Sequence, residues 1–204
     1  MEEGVRLAAR GMESTRRQFL EQLYADSRAH DAAHDDRLER FRNVEPETAA
    51  LLAVLVRATK AQRLLEIGTS NGYSTIWLAE AAASTGGRVV SVEVDPTRTA
   101  LARDNLERAG VEAELLTRDA AEVLAEAPDA AWDFVFLDAE RPAYASYWPE
   151  LVRTLAPRGL LAVDNVISHE HELVEFTLIV EDEPRVMTTV VPVGAGLRLA
   201  VREP

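Results

Sequence analysis

The stretch Leu64–Ala79, LLEIGTSNGYSTIWLA, constrains this chain more than any other. Leu64, Leu65 and Ile67 make a short buried strand, and Gly68 to Gly72 make a turn. A helix then opens at Ser74 with Ile76, Trp77 and Ala79 at packing positions. A strand that stops at glycines and passes directly into a helix leaves backbone N–H groups pointing into a crevice. Such crevices, at the carboxyl ends of parallel strands, are where open α/β sheets bind small ligands. The spacing Glu66-x-Gly68-x-x-x-Gly72 is not the G-x-G-x-x-G of a dinucleotide site. A carboxylate just before the turn repels a phosphate and suits an ammonium or sulfonium group.

Composition excludes several classes. A chain of 204 residues is most simply one domain with a sizeable core. Lys and Arg total 22 against 35 Asp and Glu, a net charge of −13, which argues against a grip on nucleic acid. The absence of cysteine rules out disulfides and thiolate chemistry. The N-terminal residues lack the apolar core of a signal peptide, and the longest apolar run, Ala49–Val56, is too short to span a bilayer. The expectation is a cytoplasmic protein with no membrane or nucleic-acid partner.

Residues 1–42 read as a charged helical extension, striped by Phe19, Leu20, Leu23 and Tyr24 and more weakly by Leu38 and Phe41. It is expected to cover the site or meet a second subunit. His30 and His34 share a helix face, but their alternation with Asp31, Asp35 and Asp36 reads as a solvated face rather than a metal pair. From Pro46 onward, residues 43–204 alternate helices and strands. The later strands are expected at Arg88–Val94, Val111–Leu116, Trp132–Asp138 and Leu160–Val166, with Pro157-Arg158-Gly159 as a turn. Helices are expected at Thr97–Ala109, Ala121–Ala127, Tyr147–Leu155 and Glu170–Val180. Val186–Val191 and Leu197–Val201 read as a closing antiparallel hairpin.

Acids recur at the strand ends. Glu93, 21 residues after Gly72, is placed to accept hydrogen bonds from a ribose diol, and Asp95 before Pro96 to cap a helix. Asp119 suits either an adenine amino group or a helix cap. Taken alone, Asp138, Asp164 and Asn165 read as unrelated strand-end groups, common as helix caps. Their two carboxylates and amide oxygen also fit a Mg²⁺-type ion. FVFLD, the Asp164-Asn165 pair after an apolar run and the glycine turn together point that way.

Four segments in order, LEIGTSNGYST, VVSVEVDP, FVFLDAERPAY and LLAVDNV, resemble the metal-dependent O-methyltransferases of the catechol and caffeoyl-CoA type, within the class I S-adenosylmethionine-dependent methyltransferases. The resemblance covers roughly residues 43–204, Asn43-Val44 included. It implies an α/β, Rossmann-like, doubly wound sheet of seven mostly parallel strands with one antiparallel strand and helices on both faces. It also implies an S-adenosylmethionine site built from Val44, Glu66, Gly68, Ser70, Gly72, Tyr73, Ser74, Glu93, Val94 and Asp138, with Asp119 and Ala120 near the adenine. A divalent metal, Mg, would sit on Asp138, Asp164 and Asn165 and chelate a small catechol-like aromatic acceptor. The methyl group would pass directly from sulfur to oxygen, leaving S-adenosylhomocysteine (SAH). A homodimer is the assembly such relatives suggest.

One position departs from the pattern. Relatives of this type commonly carry a lysine three residues after the first metal aspartate, proposed as the base, where this chain has Arg141. A guanidinium stays protonated and cannot accept the substrate proton, though it can stabilise a phenolate. Deprotonation is then expected to rest on the metal, with His169, His171 or Tyr144 as candidate assisting groups, though both histidines read more readily as a solvent-exposed lead-in to the next helix. Tyr144, Tyr147 and Trp148 suit stacking on the acceptor and helix packing equally, and the short segment after Asn165 suggests an open pocket. Two other readings stay open: a metal-independent small-molecule methyltransferase, and an S-adenosylmethionine-binding protein without turnover.

Overall fold

A computed structural model describes residues 11–204. The part of the expected N-terminal extension before Gly11 lies outside the described residues. Helices α1 (Ser14–Ala33) and α2 (Pro46–Thr59) precede β1 (Arg63–Ile67), α3 (Tyr73–Thr85), β2 (Arg88–Glu93), α4 (Pro96–Ala109), β3 (Glu114–Thr117) and α5 (Ala120–Glu126). Next come β4 (Trp132–Leu137), α6 (Tyr144–Thr154), β5 (Leu155–Val163), α7 (Val174–Glu181), β6 (Val186–Val191) and β7 (Leu197–Arg202). Short 3₁₀ turns at Arg141–Ala143 and Glu170–Glu172 lead into α6 and α7.

The seven strands form one sheet in the order β3-β2-β1-β4-β5-β7-β6. Strands β1 to β5 are parallel, and β7 runs antiparallel to both β5 and β6. The chain winds outward from β1 to β3, then returns to β4 on the other side of β1. The crevice of such a sheet opens where the winding reverses, at the carboxyl ends of β1 and β4.

Side-chain alternation supplies the core on each face. Leu64, Phe134 and Phe136 face a cluster with Leu52, Val56, Ile76 and Leu78, built by α1–α4. Leu65, Ile67, Val135 and Leu137 face a second cluster with Trp148, Leu151, Phe176 and Val180, built by α5–α7. These strands are apolar along nearly their whole length because both faces are covered.

Several boundaries differ from the sequence reading. The first helix ends at Ala33, so Leu38 and Phe41 form no helical stripe. Residues 34–45 instead cross the sheet's carboxyl edge as an irregular strap. Gly72 caps α3, which therefore opens at Tyr73 rather than Ser74. The third strand is shorter than expected, and the last helix starts only at Val174. Pro157-Arg158-Gly159 is no turn between elements. It is a bulge inside β5, with Arg158 at φ 64° and a register shift opposite Trp132 and Phe134. Among the described residues no helix is long and apolar enough to cross a membrane.

Gly68 lets the two central strand ends meet. It sits at φ 105°, and a Cβ there would overlap the carbonyl oxygen of Asp138 and stand 2.7 Å from its carbon. The Asp138 amide donates to the Ile67 carbonyl at 2.9 Å, which fixes this approach from the other side. Gly68→Ala is therefore expected to destabilise the fold by about 2–3 kcal/mol, since backbone strain adds to a clash with backbone. Urea unfolding checks it, and a change below about 0.5 kcal/mol would show that the turn relaxes freely.

Candidate active site

A cavity of about 750 Å³ occupies the carboxyl edge of the sheet. Its walls come from the β1 turn, the ends of β2, β4 and β5, and the strap of residues 34–45. Val44, Gly68, Ser70, Ser74, Glu93, Val94, Ala120, Asp138, Asp164 and Asn165 all line it. Of the residues the resemblance names, Glu66, Gly72, Tyr73 and Asp119 are not among the lining residues.

At one end, Glu93 is fixed by backbone donors. Its Oε2 accepts from the Ser70 amide at 2.9 Å, and its Oε1 from the Val94 and Asp95 amides at 2.9 and 3.1 Å. A carboxylate held this way keeps lone pairs for a ligand's hydroxyls. Asp95 caps α4 through the Thr97 amide at 2.7 Å, and Asp119 caps α5 through the Ala121 amide at 2.7 Å. Of the two roles open to Asp119, the structure shows the cap.

Glu66 stands behind the cavity wall. It is fully buried, and strand alternation points it toward the start of α3. Its carboxylate accepts from the hydroxyls of Ser74 (2.6 Å), Thr75 (2.5 Å) and Ser91 (2.6 Å), and Ser91 pairs with Thr69 at 2.6 Å. Glu66 thereby ties the glycine turn to β2 and α3. Tyr73 is also interior, packed on Tyr24 with ring centroids 5.4 Å apart.

At the other end, Asp138 and Asp164 continue neighbouring strands. The Asp138 amide donates to Ile67, and the Asp164 amide to Leu137 at 3.1 Å. Asn165, at φ 67°, turns its side chain back between them, and its Nδ2 reaches Asp138 Oδ1 at 3.0 Å and Asp164 Oδ2 at 3.1 Å. Asp164 Oδ1 is buried without a hydrogen-bond partner. Burial pushes the Asp138 carboxyl up to about 7, against the pull of Arg42 and Arg141. Burial and the neighbouring Asp138 push Asp164 well above the usual carboxylate range. Two adjacent carboxylates, one with an orphaned buried oxygen, want a proton or a cation between them. The described residues contain no group of three or more His, Cys, Asp or Glu placed to hold a metal. The donor set here is two carboxylates and one amide, and a half-turn of that amide presents its oxygen to the same point.

The family model described as O-methyltransferase matches residues 13–203. The chain belongs to this O-methyltransferase family. It is similar to a catechol O-methyltransferase of Mycobacterium tuberculosis, 40% identical over 148 residues, which make up 71% of this chain and 64% of that protein. A catechol O-methyltransferase of Niastella koreensis is 35% identical over 130 residues, 61% of this chain and 58% of that protein. The chain thus spans less than two thirds of the length of these two relatives. An O-methyltransferase from Bacillus cereus solved in complex with SAH aligns with a TM-score of 0.75 at 29% identity, covering 91% of each chain.

The remaining candidates divide. Tyr144 is fully buried, and its hydroxyl both donates to the Ala139 carbonyl and accepts from its amide at 3.2 Å. Trp148 packs edge-on against Phe176. Neither faces an acceptor, whereas Tyr147 lines the cavity. His169 lines it too, with Nδ1 paired to the Ser168 hydroxyl at 2.8 Å, while His171 points to solvent. His30 and His34 are half-exposed and lie against the strap. They stack at 4.0 Å, His30 stacks on Phe41, and His30 Nε2 and His34 Nδ1 meet the Glu39 and His30 carbonyls.

Sequence reasoning missed the strap's fastenings. Asp31 accepts from the Phe41 and Arg42 amides at 2.7 and 2.9 Å, and Ser70 donates to the Phe41 carbonyl at 2.9 Å. Arg37 and Arg42 both pair with Glu140, two residues past Asp138. No periodic pattern announces such contacts.

Glu66 supplies a pH test that needs no ligand. Burial raises its carboxyl to about 7 from 4.5, against the three hydroxyl donors. A raised acid binds its proton more tightly when folded, so this contribution is complete below pH 4.5 and is lost as pH rises through 7. Glu66→Gln escapes that loss. Relative to the parent, its unfolding free energy is expected to rise by about 3 kcal/mol between pH 4 and pH 8. A difference independent of pH would place the ionised form comfortably in its hydroxyl cradle.

Proposed function

We propose that this chain is an S-adenosylmethionine-dependent O-methyltransferase acting on one hydroxyl of a small, catechol-like aromatic acceptor, with a divalent cation held by Asp138, Asp164 and Asn165. One observation carries the reading: two adjacent carboxylates, Asp138 half-buried and Asp164 buried with an orphaned oxygen, share a cavity with the Gly68 turn and Glu93. The family match and the catechol O-methyltransferases among the relatives support it.

The roles follow from placement. Glu93 receives the ribose hydroxyls of the donor, and the Gly68–Ser74 turn lies beside its amino-acid end. The strap, fastened by Asp31, Ser70, Arg98 and Glu140, keeps bulk water from the space between donor and acceptor. Asp138 and Asp164 present negative charge where two vicinal hydroxyls would enter, and Tyr147 offers a ring face to the acceptor. A bound divalent cation supplies Lewis acidity that lowers a hydroxyl's pKa and orients it. Transfer is a direct displacement from sulfur to oxygen, so no residue serves as a covalent nucleophile, and the fold supplies proximity and alignment.

A second reading has its own observation. The Asn165 amide already bridges both carboxylates, an arrangement that serves a methyltransferase working without metal. Methyl transfer to a catechol panel with excess EDTA, then with Mg²⁺ restored, separates the two. The metal-dependent reading expects EDTA to abolish turnover, Mg²⁺ to restore it, and Asp164→Ala to lower kcat at least about 100-fold. Turnover indifferent to EDTA and to Asp164→Ala selects the metal-free reading.

A further inference from the structure

Arg141 stands where the resemblance places a lysine, and the fold commits its guanidinium to one partner. The side chain is 5% exposed, its Nε donates to Glu172 Oε2 at 2.8 Å, and its Nη2 donates to Glu172 Oε1 at 3.3 Å. This is a forked pairing that a lysine ammonium cannot copy. The partners lie 31 residues apart and belong to different loops. Arg141 is in the loop that leaves Asp138 at the end of β4. Glu172 closes the segment that leaves Asp164 and Asn165 at the end of β5.

Other contacts tie each loop to parts of the fold outside the pair, and in the first loop Glu140 is also held by Arg37 and Arg42 of the strap. The Tyr144 hydroxyl grips the Ala139 backbone in the first. In the second, the Val166 amide donates to the Gly196 carbonyl, and the Ile167 and Ser168 amides donate to Ala195. Apart from the Asn165 amide, the Arg141–Glu172 pair is the polar side-chain link between the two loops among the described residues. Both loops border the cavity, and both pair members line it.

We infer that Arg141 is a positioning residue rather than a base. Clasped to Glu172, it holds the loops after β4 and β5 together, and so sets the spacing of Asp138 against Asp164 and Asn165 and closes the acceptor wall. The inference rests on the metal-dependent reading above and assigns Glu172 a part in the site. Because the guanidinium is buried, removing Glu172 leaves its charge unmatched, and removing Arg141 frees a partly exposed carboxylate from the clasp.

The test compares Arg141→Lys, Arg141→Met, Glu172→Gln and the double variant Arg141→Met/Glu172→Gln with the parent. Mn²⁺ affinity is measured by calorimetry in the presence of SAH, SAH affinity by calorimetry alone, and KM and kcat with catechol. Thermal unfolding identifies any variant that fails to fold. Arg141→Met and Glu172→Gln are each expected to weaken Mn²⁺ binding about tenfold and to raise the catechol KM, while SAH affinity holds. The double variant is expected to be no worse than the poorer single, the mark of one shared interaction. Arg141→Lys should keep the shape of the pH–rate profile while sharing the loss. The inference is overturned if Glu172→Gln matches the parent in Mn²⁺ affinity and KM while the Arg141 variants lose turnover, or if Arg141→Lys acquires a new ionising limb. If the parent itself takes up no Mn²⁺, the metal reading fails, and the clasp stands or falls on the same coupling in the catechol KM.

Discussion

The Ile67–Gly68 end of β1 and the Asp138 end of β4 touch backbone to backbone, and the rest of the site hangs on that contact. Only a residue without a side chain lets the turn pass the Asp138 carbonyl at φ 105°. Because the contact falls where the sheet's winding reverses, the glycine turn and the first strand-end carboxylate share one rim. The Asp164 amide, bonded to Leu137, then sets the second carboxylate in register beside the first. Two halves of a bisubstrate cavity thus follow from strand order and a missing Cβ, before any side-chain recognition operates.

The electrostatics of the cavity are sharper than the net charge of −13 suggests. Asp138, Asp164 and Glu66 are acids without a direct ion pair within one short span of the sheet edge, Glu66 and Asp164 buried and Asp138 half-buried. Each is satisfied differently: Glu66 by three hydroxyls, Asp138 and Asp164 by a shared amide, and Asp138 also by the fields of Arg42 and Arg141. Such a concentration of acids disfavours phosphate and favours cationic groups. Three rim arginines, Arg37, Arg42 and Arg141, are spent on Glu140 and Glu172, where they hold loops in place.

Much of this was legible in the sequence, for physical reasons. Buried parallel strands read as apolar runs, glycines mark the turn, and strand-end acids follow at fixed distances. The strand–turn–helix at Leu64–Ala79, the helix cap at Asp95, and the meeting of Asp138, Asp164 and Asn165 were all visible that way. What stayed hidden depends on contacts across long sequence gaps. The strap is fixed by Arg98 to the Leu38 and Arg40 carbonyls and by Arg37 and Arg42 to Glu140, which no local period encodes. The bulge that carries β5 back to Leu155 and the Glu172 partner of Arg141 belong to the same class. Glu66 is different. Alternation along β1 puts it on the Leu64 face, with Ser74 and Thr75 just beyond the turn, so its place behind the wall was readable but outweighed by the motif.

The two-carboxylate, one-amide centre is tested most directly by growing crystals with Mn²⁺ and SAH and measuring the anomalous scattering of manganese. A single peak bridging Asp138, Asp164 and the Asn165 side-chain oxygen, with ligand distances of about 2.0–2.3 Å, is the predicted result. A map without a peak there, with the Asn165 amide still donating to both carboxylates, would contradict it and leave the three residues as a structural bridge.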